Sequence, residues 1–185
     1  MPDPAGTAEL IERLAAVLAG EVRSCWDTHG LHPVHGRILV YLAHANRYSD
    51  TAGAVVEYLG ATKGTVSQSI ERLVERGLVE RRVDERDRRR AHLALTAAGR
   101  RVVETAYPPA AWRTALADAP PALAGGLEQL LGRIQQAAGK RRFGACATCR
   151  HHQVEGPGVF RCGLTGEPLS AEDRPRWCRE HDSAG

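Results

Sequence analysis

Apolar residues recur at helical spacing through the first part of the chain. Between Thr7 and Cys25 they fall at Leu10, Ile11, Leu14, Val17, Leu18 and Val22, the stripe of an amphipathic helix. Thr7, with Glu9 and Glu12 nearby, predicts a capped, dipole-matched start. His32-Pro33 interrupts, and Ile38, Leu39 and Leu42 predict a second helix from about Val34 to Ala45. Asp50 predicts the cap of a short third helix through Val55, Val56 and Leu59, which ends at Gly60. A fourth helix runs from Thr62 or a neighbour to Arg76. Its apolar positions Val66, Ile70, Leu73 and Val74 leave the rest of its surface polar, and Gly77 stops it.

The period then changes. Leu78–Val83 and Ala91–Leu95 each alternate, and the charged run Asp84–Arg90 between them predicts a β-hairpin. Thr96 caps another helix carrying Val102 and Val103, and Pro108-Pro109 and Pro120-Pro121 mark boundaries. A last helix, from about Ala122 to Ala138, places Leu123, Leu127, Leu130, Leu131 and Ile134 on one stripe. Gly139-Lys140-Arg141-Arg142 reads as a linker, and beyond it the chain has little helical periodicity.

Composition narrows the class. The 185 residues, 43% hydrophobic and 25% charged, suffice for one real core and a small appendage. A net charge of +3 requires that any nucleic-acid surface be a local patch. Residues Met1–Gly6 lack the basic and apolar runs of a signal peptide, and nothing has the length of a membrane helix. The expected location is the cytoplasm, where clustered cysteines hold metal more readily than they form disulfides.

Helix, turn, helix and charged hairpin is the order of a winged helix-turn-helix. A recognition helix must present small or polar side chains to base edges in the major groove. The fourth helix offers Lys63, Thr65, Ser67, Gln68 and Ser69, with Gly64 allowing close approach and Arg72 a turn further on. The hairpin holds six arginines, Arg81, Arg82, Arg86, Arg88, Arg89 and Arg90, against Asp84, Glu85 and Asp87. Arg86, Arg88 and Arg89 are the candidate wing contacts to phosphate or minor groove, with the acids bracing the loop. A solvated hairpin would show the same charges, but in this order, with the helix caps, DNA reading is the better account.

The run Ala61–Ser67 through Leu73, then Arg76–Arg81, then Asp84-Glu85-Arg86-Asp87-Arg88-Arg89, closed by Leu95-Thr96 and Gly99, resembles the MarR family of bacterial transcriptional regulators. The resemblance spans roughly Leu10 to Ile134. It implies a homodimer with intertwined N- and C-terminal helices, one winged domain per subunit reading half of a palindromic operator in double-stranded DNA. It also implies that Arg86 enters the minor groove, that Thr65, Ser67 and Gln68 face the major groove, and that Asp87 braces the wing arginines.

Four of the five cysteines lie in the tail: Cys146 and Cys149 two residues apart, Cys162 after twelve more, and Cys178 after a further fifteen. Four thiolates in this arrangement suit either Zn2+ or an iron–sulfur cluster, with 4Fe-4S as a candidate. Zinc ribbons usually bring two Cys-x-x-Cys knuckles, whereas this tail has one. His151, His152 and His181 are alternative zinc ligands, although adjacent histidines are more often solvent-facing. The tail is similar to small high-potential-type iron–sulfur modules, from which it departs by carrying histidines where those carry aromatics. The cluster is favoured over zinc. Cys25, alone beside Trp26, reads as a packing residue.

The expected molecule is mainly α with a small β-hairpin wing: a winged helix-turn-helix with dimerisation helices over 1–139 and a four-cysteine metal-binding module over 140–185. The expected function is sequence-specific transcriptional regulation, as a repressor, with the cysteine-held group as redox or metal sensor. No nucleophile–base pair or phosphate loop points to an enzyme. Two rivals are a zinc-stabilised regulator sensing a small-molecule effector between dimer helices, and an electron-transfer protein without specific DNA binding.

Overall fold

A computed structural model describes residues 3–84, 88 and 91–183. Helix α1 (Pro4–Asp27) is followed by α2 (Pro33–His44), α3 (Ala52–Leu59) and α4 (Lys63–Glu75). Strands β1 (Val79–Val83) and β2 (Ala91–Leu95) pair antiparallel, with Val79 opposite Leu95 and Val83 opposite Ala91. Helices α5 (Ala97–Ala106), α6 (Ala110–Ala117) and α7 (Ala122–Ala137) complete the helical part. The hairpin is the expected wing; Glu85, Arg86, Asp87, Arg89 and Arg90 lie outside the described residues.

Local chemistry sets the boundaries, in two places differently from expectation. Helix α1 begins earlier than expected because Asp3, and not Thr7, caps it, its carboxylate accepting from the Ala5 and Gly6 amides. Helix α3 is capped by the Thr51 hydroxyl, which leaves Asp50 free for a partner elsewhere. Thr62 caps α4 and Thr96 caps α5 as expected. Gly77 stands at φ +66°, the left-handed conformation that closes α4 and turns the chain into β1.

The core gathers Ile38, Leu39 and Leu42 of α2, Val55 of α3, Val66, Ile70 and Leu73 of α4, and Leu93 and Leu95 of β2 around Trp26. Two glycines permit its closest approaches. A Cβ at Gly36 would stand 2.1 Å from the Trp26 ring, and one at Gly99 would stand 2.1 Å from the Leu78 carbonyl oxygen. The latter contact seats α5 against the start of the wing, where the Thr96 amide also donates to Leu78 O. The stripes of α1 and α7 are not covered in the same way: Leu14 is 51% exposed, Leu127 47% and Leu131 56%.

The tail is built from short pieces: β3 (Gly144–Ala145), a 3-10 turn over Cys146–Thr148, β4 (His152–Gly156), β5 (Val159–Cys162), β6 (Pro168–Leu169) and β7 (Trp177–Cys178). Strand β3 pairs with β7, and β4, β5 and β6 form a second small sheet. Phe143 and Trp177 pack against the helical core. Trp177 stacks on His44 at 4.6 Å and on Tyr58 at 5.6 Å, while Phe143 meets Tyr41 and Tyr58 edge-on. The tail is therefore seated on the α2–α3 face. Among the described residues no helix is long and apolar enough to cross a membrane.

Candidate functional site

The reading helix presents its expected residues to solvent. Lys63, Thr65, Ser67, Gln68 and Arg72 are all exposed on α4, and Arg88 is exposed in the wing turn. Arg86 and Arg89, the other two wing candidates, lie outside the described residues. Ser69 departs from expectation: it is buried, and its hydroxyl donates to the Thr65 carbonyl at 2.8 Å, so it belongs to the inner face. The Thr65 hydroxyl lies 2.9 Å from the Thr62 cap and is already oriented by it. Arg76 turns back from the helix end and donates to the His29 and Gly30 carbonyls, tying α4 to the turn after α1.

The expected bracing by Asp84, Glu85 and Asp87 falls largely outside the described residues, which show other ties at the base of the wing. Glu80 pairs with Arg82 on the same strand, and Arg81 reaches Glu71 on α4. Asp84 also faces a histidine: His92 Nε2 lies 2.9 Å from Asp84 Oδ2, and His92 Nδ1 lies 2.5 Å from Asp50 Oδ1. His92 thus joins the strand β2 to the wing turn on one side and to the entrance of α3 on the other. Hydrogen bonds to the Asp50 and Asp84 carboxylates raise its pKa. Burial also raises the pKa of Asp50, against the opposing pull of His92.

Beside this clamp the tail encloses a cavity of about 1100 Å³. All five cysteines are free thiols, and Cys146, Cys149, Cys162 and Cys178 all line this one space. Three local features bring them there. The 3-10 turn places Cys149 after Cys146, with the Cys149 amide donating to Cys146 O. The β4–β5 register sets His152 opposite Cys162, and β3–β7 pairing sets Gly144 opposite Cys178. Gly144 also leaves room for the His181 ring, which a Cβ would meet at 2.7 Å.

The sulfur chemistry is polarised. The neighbouring Cys178 raises the pKa of Cys146, and Cys146 in turn lowers that of Cys178, with Asn46 and Ser49 also favouring the Cys178 thiolate. Asn46 Nδ2 donates to Cys146 Sγ at 3.2 Å. Thiolate is the form that binds metal. Near the sulfurs, His152 Nε2 and His181 Nδ1 are buried with no hydrogen-bond partner among the described residues. The expectation that the adjacent histidines face solvent is corrected for His152, which is half-buried; His181 is half-buried too, with Nε2 3.0 Å from the Thr148 hydroxyl. Among the described residues, no three Cys, His, Asp or Glu side chains converge on one point as a single-ion site requires.

The sequence reading passed over the loop beneath this cavity. Asn46 and Ser49 are 1% and 0% exposed, yet they stand in a polar stretch between two helices that looks like an ordinary surface turn. Their partners are about a hundred residues away or more, so no local signal marks them. Arg179 completes the docking through its ion pair with Glu57 at 2.7 Å.

Known proteins resemble this chain over part of its length. A sequence model of the MarR family fits residues 29–90, from the turn after α1 to the wing. The HTH-type transcriptional regulator PetP of Rhodobacter capsulatus is 31% identical over 121 residues, 63% of this chain and 70% of PetP. Among solved structures, the MepR–DNA complex of Staphylococcus aureus superposes with a TM-score of 0.55 at 20% identity, over 70% of this chain and 96% of MepR. The structure of CouR from Rhodococcus jostii RHA1 bound to p-coumaroyl-CoA superposes with a TM-score of 0.58 at 25% identity, over 74% of this chain and 92% of CouR.

Proposed function

The chain belongs to the MarR family of transcriptional regulators, and we propose that it is a homodimeric repressor whose four tail cysteines hold an iron–sulfur cluster. Its α4 helices would read the two halves of a palindromic operator, with Thr65, Ser67 and Gln68 toward base edges and Lys63 and Arg72 toward phosphate. Arg86, Arg88 and Arg89 are assigned to the wing contacts. The apolar stripes left uncovered on α1 and α7 supply a surface for the second subunit.

One observation carries the metal reading: four free thiols, two from one 3-10 turn and one from each of two strands, border a single cavity. A lone Zn2+ would require the sulfurs to close within roughly 4 Å of one another. A cluster offers each thiolate its own iron, which suits sulfurs set around a cavity. The buried, unpartnered His152 Nε2 on the same wall is a donor for a sulfur-rich group. When bound, such a group supplies one-electron chemistry and sensitivity to oxidants.

A second reading has a specific support. CouR, at 25% identity, is seen with p-coumaroyl-CoA, and an effector between dimer helices would leave the tail a colourless zinc brace. The absorbance spectrum of anaerobically purified protein, with iron, sulfide and zinc analysis, separates the two. A visible charge-transfer band with iron and sulfide supports the cluster, and stoichiometric zinc without colour supports the brace. Cys146→Ser and Cys162→Ser each remove the bound metal; retention of full metal by either variant contradicts the ligand assignment.

A further inference from the structure

The tail and the wing meet at one short loop. Residues 46–50 leave α2, pass beneath the thiol-lined cavity and enter α3. At its first residue, the Asn46 amide donates to Trp177 O at 2.9 Å and its side chain donates to Cys146 Sγ at 3.2 Å. The same side chain accepts from the Tyr48 amide through Oδ1, and the Asn46 carbonyl accepts from the amides of Ser49 and Asp50. The rotamer that reaches the sulfur is thus the one that shapes the turn. Ser49 Oγ accepts from the Arg179 amide, one residue beyond Cys178.

The other end of the loop grips the wing. Asp50 O accepts from the Leu93 amide at 2.7 Å, and Thr51 bridges His92. The Asp50 carboxylate holds His92, which also holds Asp84 where β1 gives way to the wing turn. Arg82, Asp84 and His92 themselves stand on the cavity wall with the four cysteines. From sulfur to wing, each link is a direct hydrogen bond between buried or half-buried groups.

We propose that this loop is the coupling element of the regulator: Asn46 senses the state of the sulfurs, and Asp50 with His92 passes it to the wing. This rests on the reading of the four cysteines as a metal-holding site. A metal-bound thiolate accepts a charge-assisted hydrogen bond from Asn46, and a protonated thiol accepts a much weaker one. Removing the group therefore loosens the anchor that sets the 46–50 turn, and the wing base loses its fixed position. Coupling of this kind requires that the two states of the sulfurs favour different arrangements of the wing. The route lies within one subunit and is separate from any change in dimer spacing.

The test uses the full chain as purified anaerobically, and the same protein stripped with chelator, titrated against operator DNA at fixed salt. Iron, sulfide and zinc are measured for each sample. The wild type is expected to change its operator Kd by about tenfold between the two states. Asn46→Ser keeps an acceptor near the Tyr48 amide, while its shorter side chain draws the donor back from Cys146. His92→Gln releases the wing end without touching a cysteine. Each variant is expected to keep its metal content while the Kd ratio falls to within about twofold. Retention of the wild-type ratio in His92→Gln, a change at the wing end of the loop, overturns the proposal. A wild-type ratio near unity with metal present overturns the coupling alone, and wild-type protein that binds no metal overturns both it and the reading beneath it.

Discussion

Asp50 and His92 show how much a single side chain's company matters. Read from sequence, Asp50 is a helix cap and His92 a polar position on a half-buried strand. Thr51 takes the cap, and the carboxylate is released to pair with the imidazole. Because Asp50 and Asp84 raise the His92 pKa, its contribution to stability is full below the ordinary imidazole value and is lost as pH rises through the raised one. The raised pKa of Asp50 acts in the same direction. His35, His44 and His181, whose pKa values burial lowers, act in the opposite one. Thermal melts across neutral to mildly alkaline pH should show wild type losing its advantage over His92→Gln as pH rises; a difference independent of pH would contradict the clamp. At Gly99 steric fit decides the outcome. The Leu78 carbonyl leaves no room for a methyl group, so Gly99→Ala should cost about 1–3 kcal/mol in urea unfolding.

The helices were legible because their signals are local. A stripe repeated over three or more turns, with a cap and a glycine stop, locates α1, α2, α4 and α7 to within a few residues. Helix α6 escaped notice: eight residues between proline pairs, rich in alanine, show no periodic face. The tail's strands run from two to five residues, too short to display alternation, and their pairing depends on neighbours far along the chain. The four cysteines could still be picked out, since their spacing is a local property. Asn46 and Ser49 could not, because burial turned an ordinary polar loop into the floor of a cavity. For α4 the prediction concerns two kinds of contact. Lys63→Ala and Arg72→Ala should weaken binding to all DNA sequences alike and lower the salt dependence by about one counterion each. Gln68→Ala should cost about 1–3 kcal/mol on operator and little on unrelated DNA, as competition binding would reveal.

At the scale of the whole molecule, two surfaces are asymmetric in their cover. The stripes of α1 and α7 face outward with Leu14, Leu127 and Leu131 about half exposed. Placing charge there, as in Leu127→Glu with Leu131→Glu, should yield a monomer by light scattering and abolish tight operator binding, since one subunit reads one half-site. A dimer that persisted would move the interface elsewhere. The α2–α3 face, by contrast, is closed by the chain's own tail, through Phe143 and Trp177. Synthesis runs from the N-terminus, so this aromatic face stays open until Phe143 and Trp177 have left the ribosome and folded back. On the proposed reading, a tail that holds no group would cover that face less firmly, and a loosely covered apolar face is what chaperones and proteases engage. The supply of the bound group would then set how long each copy of the regulator survives, as well as how tightly it grips its operator.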